Sequence, residues 1–310
     1  MDKVLLVVNY HYIRKIMPSN GIYPITPEHF TEQLDLINAN GYDFISIDEL
    51  DTAISTLDND SMPSKSCLIT FDDGLLESFE TGYSILKEKG IPAVFYAISD
   101  TIEYKKIPHT HKIHYLRSNI GDNLMFEYFR EKYQKEIESL DLEHVKSQYP
   151  FDNLETSKVK YLLNFVANYQ DIDEAFNKYS EKSESDVCEE LFMSKENIIE
   201  LSRAGCLGTH GKNHVSFGTL DKKQIKENIS DSINYINNIT GKQISSISYP
   251  FGEQTAISKE LFESCRELNL SSGFTMERGL NNIRDIFEKP YQIKRYDTTE
   301  IFGGKYERQL

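Results

Sequence analysis

Short apolar runs recur along the chain, separated by longer stretches in which apolar positions return every three or four residues. Val4-Leu5-Leu6-Val7-Val8 predicts a strand over 3–9. Thr26-Pro27-Glu28 opens a helix with Thr as N-cap and Pro in the first turn. Phe30, Leu34 and Ile37 give that helix its apolar stripe, and Asn40-Gly41 ends it. A strand over 67–71, a helix over 75–89 closed by Gly90 and a strand over 93–98 follow. The same rhythm returns late in the chain. Helix 194–204 leads to strand 206–209, and Asp221 caps a helix carrying Ile225, Ile229, Ile233 and Ile236 on one face. Strand 245–249, helix 256–268 and strand 272–276 complete the series.

Alternating strands and helices imply an α/β fold with a mainly parallel sheet. The alternation alone allows a closed (β/α) barrel or an open doubly wound sheet. Residues about 101–190 break the rhythm: they are rich in Glu, Lys, Tyr and Leu, and strand signals fade. They read as a mostly helical insertion, with a lid, a substrate-selecting wall and a dimer contact as the roles open to it. A long insertion is tolerated because the entropy of loop closure grows slowly with length.

Chemistry-bearing residues gather where apolar runs end. Leu68-Ile69-Thr70-Phe71 stops at Asp72-Asp73-Gly74. Neighbouring side chains on a strand point to opposite faces, so two adjacent carboxylates share a site only where the strand ends and turns. Gly74 supplies the freedom for that turn. Gly208-Thr209-His210-Gly211-Lys212-Asn213-His214 brings two histidines four apart, a spacing that converges the rings on a helix face or a tight loop. Imidazole suits borderline metals, and one Asp with two His leaves coordination positions open for water and substrate. Ile247-Ser248-Tyr249-Pro250-Phe251-Gly252 closes a third run. Pro250 fixes one dihedral and Gly252 frees another, a turn able to aim a backbone N–H at a developing oxyanion. Taken singly, each segment also reads as an ordinary polar turn.

Together, and in this order, the three segments resemble the polysaccharide deacetylase family, carbohydrate esterases with a NodB-like domain. The motifs are T-F-D-D-G over Thr70–Gly74, a His-x-x-x-His segment over His210–His214, and Y-P-F-G over Tyr249–Gly252. Gly211 stands where Ser or Thr is usual. The resemblance covers about residues 1–100 and 190–300. It implies a single catalytic domain over 1–310, a distorted (β/α) barrel of the NodB type, interrupted by the insertion. It also implies Asp72 as general base and Asp73, His210 and His214 as ligands of one divalent ion, most often Zn²⁺. The Phe251 N–H would hold the oxyanion, with Tyr249 and Pro250 shaping the turn. Many relatives carry a general acid on a late Leu-x-His segment, whereas Tyr291–Asp297 holds no histidine. His11, after the first strand in Asn9-Tyr10-His11-Tyr12, is the candidate acid, as in relatives with a rearranged motif order. Arg295 is a candidate partner for Asp72; a surface ion pair is the alternative.

Composition narrows the partners. The formal net charge of −15 argues against nucleic acid, whose phosphates need basic surface. There is no Trp, but 19 Tyr and 17 Phe leave aromatic surface for stacking on sugar rings. Cys67, Cys188, Cys206 and Cys265 lack metal-ligand spacing, the pattern of a reducing compartment. Met1-Asp2-Lys3 followed by five apolar residues is too short for a signal peptide or a membrane span. The expectation is therefore a cytoplasmic protein, possible as a homo-oligomer, acting on an acylated amino sugar, a sugar nucleotide or an oligosaccharide. His109, His111 and His114 are read as the start of a helix and not as ligands. N-deformylation of a sugar, a catalytically inactive glycan-binding relative, and an Fe(II) oxygenase built on the same Asp/His/His set are the alternatives. The oxygenase reading leaves the Asp-Asp doublet without a task.

Overall fold

The computed structural model describes residues 3–18, 21–149 and 152–310. It divides into two compact units, one built from Met1–Lys15, Pro24–Lys105 and Glu189–Leu310, the other from Ile16–Tyr23 and Lys106–Cys188.

The first unit is organised by a nine-stranded, mainly parallel sheet. Its strands are β1 (Val4–Tyr10), β2 (Asp43–Phe44), β3 (Lys65–Phe71), β4 (Ala93–Ala97), β5 (Leu207–Thr209), β6 (Ser246–Ser248), β7 (Ser272–Phe274), β8 (Asn281–Asn282) and β9 (Tyr296–Asp297). The spatial order is β7-β6-β5-β4-β3-β1-β8; β2 joins β3, and β9 joins β1. β1 and β3 run parallel from Val4 opposite Lys65 to Tyr10 opposite Phe71. The two therefore end at the same level, which brings His11 and Asp72 to one rim. The ring is completed by irregular chain. The Thr275 N–H donates to the Ile293 carbonyl at 2.8 Å, and the Lys294 N–H to Asn281 Oδ1 at 2.8 Å. Residues 292–297 thus close the barrel between β7 and β1. This is the distorted (β/α) barrel that the alternation allowed, with the open sheet excluded.

Strands buried on both faces read as continuous apolar runs, and β1, β3 and β4 do so. Leu6, Val8, Ile69, Phe95, Ile229 and Ile247 share one core. Lys222–Thr240 forms the long helix capped by Asp221, whose carboxylate and the Gln224 side chain make a reciprocal capping box. Two helices differ from expectation. Within 75–89, Ser78–Tyr83 is a π-turn that leads into α-helix at Ser84–Lys89. Gly82 there lies so near Phe71 that a Cβ would stand 3.1 Å from the ring, and Ser78 Oγ donates to the His11 carbonyl at 3.0 Å. The wide turn fits that approach to the ends of β1 and β3. The helix expected from 256 begins at Lys259, because Ser258 is the N-cap that accepts the Leu261 N–H.

The second unit is helical, with α-helices at His109–Ile120, Asp122–Lys132, Leu154–Tyr161 and Tyr169–Tyr179 among others. Lys112, 5% exposed, bridges Asp173 at 2.6 Å and Glu184 at 3.0 Å. His109 stacks on Tyr169, and His111 is buried near His114. Among the described residues no helix is long and apolar enough to cross a membrane.

Candidate active site

β3 delivers Asp72 and Asp73 at its C-terminal end. The Asp72 N–H donates to the Tyr10 carbonyl at 3.1 Å, so the first acid still follows the β1 register. The chain then turns through two left-handed residues, Asp73 at φ 74° and Gly74 at φ 67°. That turn swings the second carboxylate to the same side as the first. Gly74 packs against the end of β4, where a Cβ would stand 3.2 Å from Ala97 Cα.

His210 follows β5, and its N–H donates to the Ala97 carbonyl at 2.8 Å. His214 is reached through a loop with Gly211 at φ 76° and His214 itself at φ 57°. The histidines therefore converge on a tight loop and not on a helix. A Cβ at residue 211 would stand 2.9 Å from Asn228 Oδ1 and 3.2 Å from Phe217 Cζ, which explains glycine where relatives carry Ser or Thr. Asn228 and Ser232, on the long helix, hold this loop: Asn228 Oδ1 accepts the Lys212 N–H and Ser232 Oγ donates to the Gly211 carbonyl.

Asp73, His210 and His214 present ligand atoms that all lie within 4.8 Å of one another. Asp73 Oδ1 is 3.3 Å from His210 Nε2 and 3.3 Å from His214 Nε2. Donors each about 2 Å from a tetrahedral centre are separated by roughly 3.3 Å, so the spacing suits a zinc-sized ion. The set, one carboxylate and two imidazoles, suits a borderline divalent metal. The side chains of Asp73, His210 and His214 are 6%, 2% and 7% exposed, so the charge that an ion would neutralise lies largely out of water. His210 Nδ1 lies 2.9 Å from the Ser248 carbonyl. Donation to that carbonyl fixes the tautomer with Nε2 free of hydrogen and facing Asp73.

Asp72 sits beside this cluster, 3% exposed. Arg295, fully buried, grips it bidentately through Nη1 to Oδ1 at 2.9 Å and Nη2 to Oδ2 at 2.8 Å. The guanidinium's other hydrogens go to the Thr275 carbonyl, Thr70 Oγ1 and Ser248 Oγ, so all five donors are used. The pair is buried, and the alternative of a surface ion pair is excluded. Burial by itself pushes the Asp72 carboxyl up; the Arg295 charge and its hydrogen bonds outweigh it, and the result is a pKa lowered to about 2. Asn9 Nδ2 adds a third donor, 2.9 Å from Oδ2.

His11 Nε2 lies 4.0 Å from Asp73 Oδ2, its side chain 35% exposed. Phe251, at φ 64° and 48% exposed, packs its ring edge-on to His214 with centroids 4.9 Å apart. Met276 N–H donates to the Gly252 carbonyl and fixes that turn, and a Cβ on Gly252 would stand 2.7 Å from Met276 N. Tyr249 points the other way, wholly buried, with its hydroxyl donating to the Tyr291 carbonyl at 3.0 Å. It supports the turn, and Pro250 is likewise buried. Asn9, Thr70 and Ser248 were not singled out as site residues from sequence. Asn9 and Thr70 each interrupt an apolar run near the C-terminal end of a strand, a signal the sequence carries, whereas Ser248 ends the short Ser-Ile-Ser strand β6 and has no such mark.

The family model for polysaccharide deacetylases matches residues 59–139 and 149–271. The chain belongs to the polysaccharide deacetylase family. Two curated relatives match more locally: YxkH of Bacillus subtilis (strain 168), 30% identical over 33% of this chain and 34% of its own length, and the poly-beta-1,6-N-acetyl-D-glucosamine N-deacetylase of Staphylococcus epidermidis, 27% identical over 31% of this chain and 37% of its own. The chain thus matches about a third of the length of these proteins. Solved structures resemble it throughout. The Streptococcus pyogenes deacetylase PplD aligns with TM-score 0.60 at 16% identity, covering 96% of this chain and 93% of its own. IcaB from Ammonifex degensii gives 0.57 at 18%, covering 94% and 91%. The de-N-acetylase from Aggregatibacter actinomycetemcomitans gives 0.60 at 15%, covering 97% of both. At such identities the likeness is one of fold: the NodB-type (β/α) barrel of this family.

Proposed function

We propose that the chain is a divalent-metal-dependent carbohydrate N-deacetylase that uses Zn²⁺ and hydrolyses the acetamide of an amino sugar. The observation that carries this reading is the convergence of Asp73, His210 and His214 within 4.8 Å, beside an Arg-locked Asp72. Membership in the deacetylase family and a relative named for N-deacetylation of a glucosamine polymer support the reaction class. When bound by Asp73, His210 and His214, the ion supplies Lewis acidity toward the acyl oxygen and a lowered pKa for water.

The remaining work falls to the chain itself. Asp72 takes a proton from the attacking water. Its lowered pKa keeps it ionised, and Arg295 keeps it aimed. The Phe251 N–H donates to the oxygen of the tetrahedral species, on a turn whose left-handed backbone is fixed in advance. His11 gives a proton to the nitrogen of the departing amine, which leaves poorly as an anion. Its partial exposure allows it to be reprotonated from solvent.

The test is acetate release from short β-1,6- and β-1,4-linked N-acetylglucosamine oligomers and from UDP-N-acetylglucosamine, with N-formyl counterparts alongside, before and after metal removal. Acetate release that is lost on chelation and restored by Zn²⁺ is expected, together with loss of bound metal in Asp73→Ala. Formate release without acetate would make the enzyme a deformylase. Binding of the oligomers without turnover, unchanged in Asp72→Asn, would leave a glycan-binding protein instead.

A further inference from the structure

Asn9 lies at the inner end of β1, with no exposed surface. Its Nδ2 donates to Asp72 Oδ2 at 2.9 Å and lies 3.5 Å from Met276 Sδ; its Oδ1 accepts from Thr70 Oγ1 at 3.1 Å. The amide has one workable orientation, because an ionised carboxylate only accepts and Nδ2 must therefore face it. The Thr70 hydroxyl shares its one hydrogen between Asn9 Oδ1 and the Val8 carbonyl, 2.9 Å away, and accepts from Arg295 Nη1 at 3.2 Å. Asn9, Thr70, Arg295 and Asp72 form a closed hydrogen-bonded ring in the barrel interior.

The ring treats the two Asp72 oxygens unequally. Among the described residues, Oδ2 accepts from Arg295 Nη2 and from Asn9 Nδ2, and Oδ1 accepts from Arg295 Nη1 alone. An ionised carboxylate offers about four lone-pair sites, two on each oxygen. Oδ2 is filled and Oδ1 keeps one site. We infer that Asn9 is a positioning residue for the reaction: by saturating Oδ2 it makes Oδ1 the atom of Asp72 that receives the proton. The water O–H bond breaks, its proton bonds to Oδ1, and the water oxygen bonds to the acyl carbon. Without Asn9, a second open site appears on Oδ2 and the carboxylate loses its single reactive position. The inference rests on Asp72 being the base, and it concerns a residue that the three shared motifs do not contain.

The experiment compares Asn9→Leu, which keeps size but removes the donor, with Thr70→Val and Asp72→Asn. Acetate release from β-1,6-linked N-acetylglucosamine oligomers is resolved into kcat and KM, and bound metal and thermal stability are measured in parallel. Asn9→Leu should lose about 10–100-fold in kcat, with KM within about twofold of the parent and metal content unchanged. Thr70→Val, one bond further out, should show a smaller loss of the same kind, and it serves as the deciding variant should Asn9→Leu not fold. A parental kcat in a folded Asn9→Leu or Thr70→Val protein overturns the inference; so does a loss that tracks metal content or KM. If Asp72→Asn also keeps its activity, the base assignment itself has failed. If Asp72→Asn is inactive while Asn9→Leu is fully active, only the role of Asn9 falls.

Discussion

A side chain that delivers a proton to a departing amine is dispensable when the leaving group needs none. His11 can be examined on that ground. An amide leaves with a strongly basic nitrogen, whereas 4-nitrophenolate departs unaided. His11→Ala should therefore lose about 10²–10⁴ in turnover of an N-acetylated sugar, yet hydrolyse 4-nitrophenyl acetate within about tenfold of the parent. Equal losses on both substrates would remove His11 from the acid role. Arg295 is open to a test of a different kind. Its partner Asp72 has a lowered pKa, so the pair contributes stability that is present above the unfolded carboxyl value near 3.8 and is lost as pH falls through about 2. Arg295→Met leaves that carboxylate buried and unpaired, at a cost of about 3–5 kcal/mol at neutral pH. Burial then raises the Asp72 pKa, so the variant recovers on acidification. Urea denaturation between pH 7 and pH 3 should show the gap between parent and variant narrowing; a constant gap would mean that packing, not charge, is what Arg295 supplies.

At the scale of the element, the candidate site depends on turns more than on strands. Asp73, His214 and Phe251 all have positive φ without being glycine, and each lies within three residues of a glycine with positive φ. Residues outside the favoured regions cost about 1–3 kcal/mol each and persist where the surroundings impose them. Gly252 is the tightest of these glycines, with a Cβ there 2.7 Å from the Met276 backbone nitrogen, and Gly211 is nearly as restricted. Gly211→Ser restores the family's usual residue, but it adds a Cβ 2.9 Å from Asn228 Oδ1 at φ 76°. It should destabilise the protein by about 1–3 kcal/mol and weaken metal binding, seen as a lower Tm and a lower zinc content after dialysis. A neutral substitution would mean that the loop relaxes freely and that His214 is not held by it. This scale also separates what the sequence makes legible from what it hides. The acids of Asp72-Asp73, the two histidines and the Y-P-F-G turn stand out because each ends an apolar run, and parallel strands carry their ends to one rim. The closure at Tyr296–Asp297 is a two-residue strand, too short for any period to register. Ile16–Tyr23 joins the helical unit through contacts distant in sequence, which no local pattern encodes. Asn9 is a single polar residue in an apolar run, and its meaning comes only from the Asp72 carboxylate 63 residues away.

For the whole molecule, the barrel shifts the acidity of an aspartate in opposite directions at its two ends. The rim with Asp72 keeps its acid ionised by means of Arg295. Asp51, on the helix Ile47–Thr56, is set against the opposite end of the sheet, where β7 begins. It is 9% exposed, and Ser272 Oγ donates to its Oδ1 at 2.7 Å. Burial raises its pKa from 3.8 to about 6, against the opposing pull of hydrogen bonds from Ser245 and Ser272. Hydroxyls donate hydrogen bonds without supplying a countercharge, so the neutral acid persists to higher pH in the folded chain than in the unfolded one. The sign is opposite to that of Asp72. A raised carboxyl pKa gives stability that is fully present below the unfolded value near 3.8 and is lost as pH rises through about 6. About two pKa units correspond to roughly 3 kcal/mol as an upper figure. Asp51→Asn keeps the shape and an oxygen for Ser272 but cannot ionise. Urea denaturation should show parent and variant nearly equal at pH 4 and the variant more stable, by about 1–3 kcal/mol, at pH 8. If the two curves stay parallel across that range, Asp51 is charged in the folded protein throughout, and a cation or water must reach it from beneath the barrel.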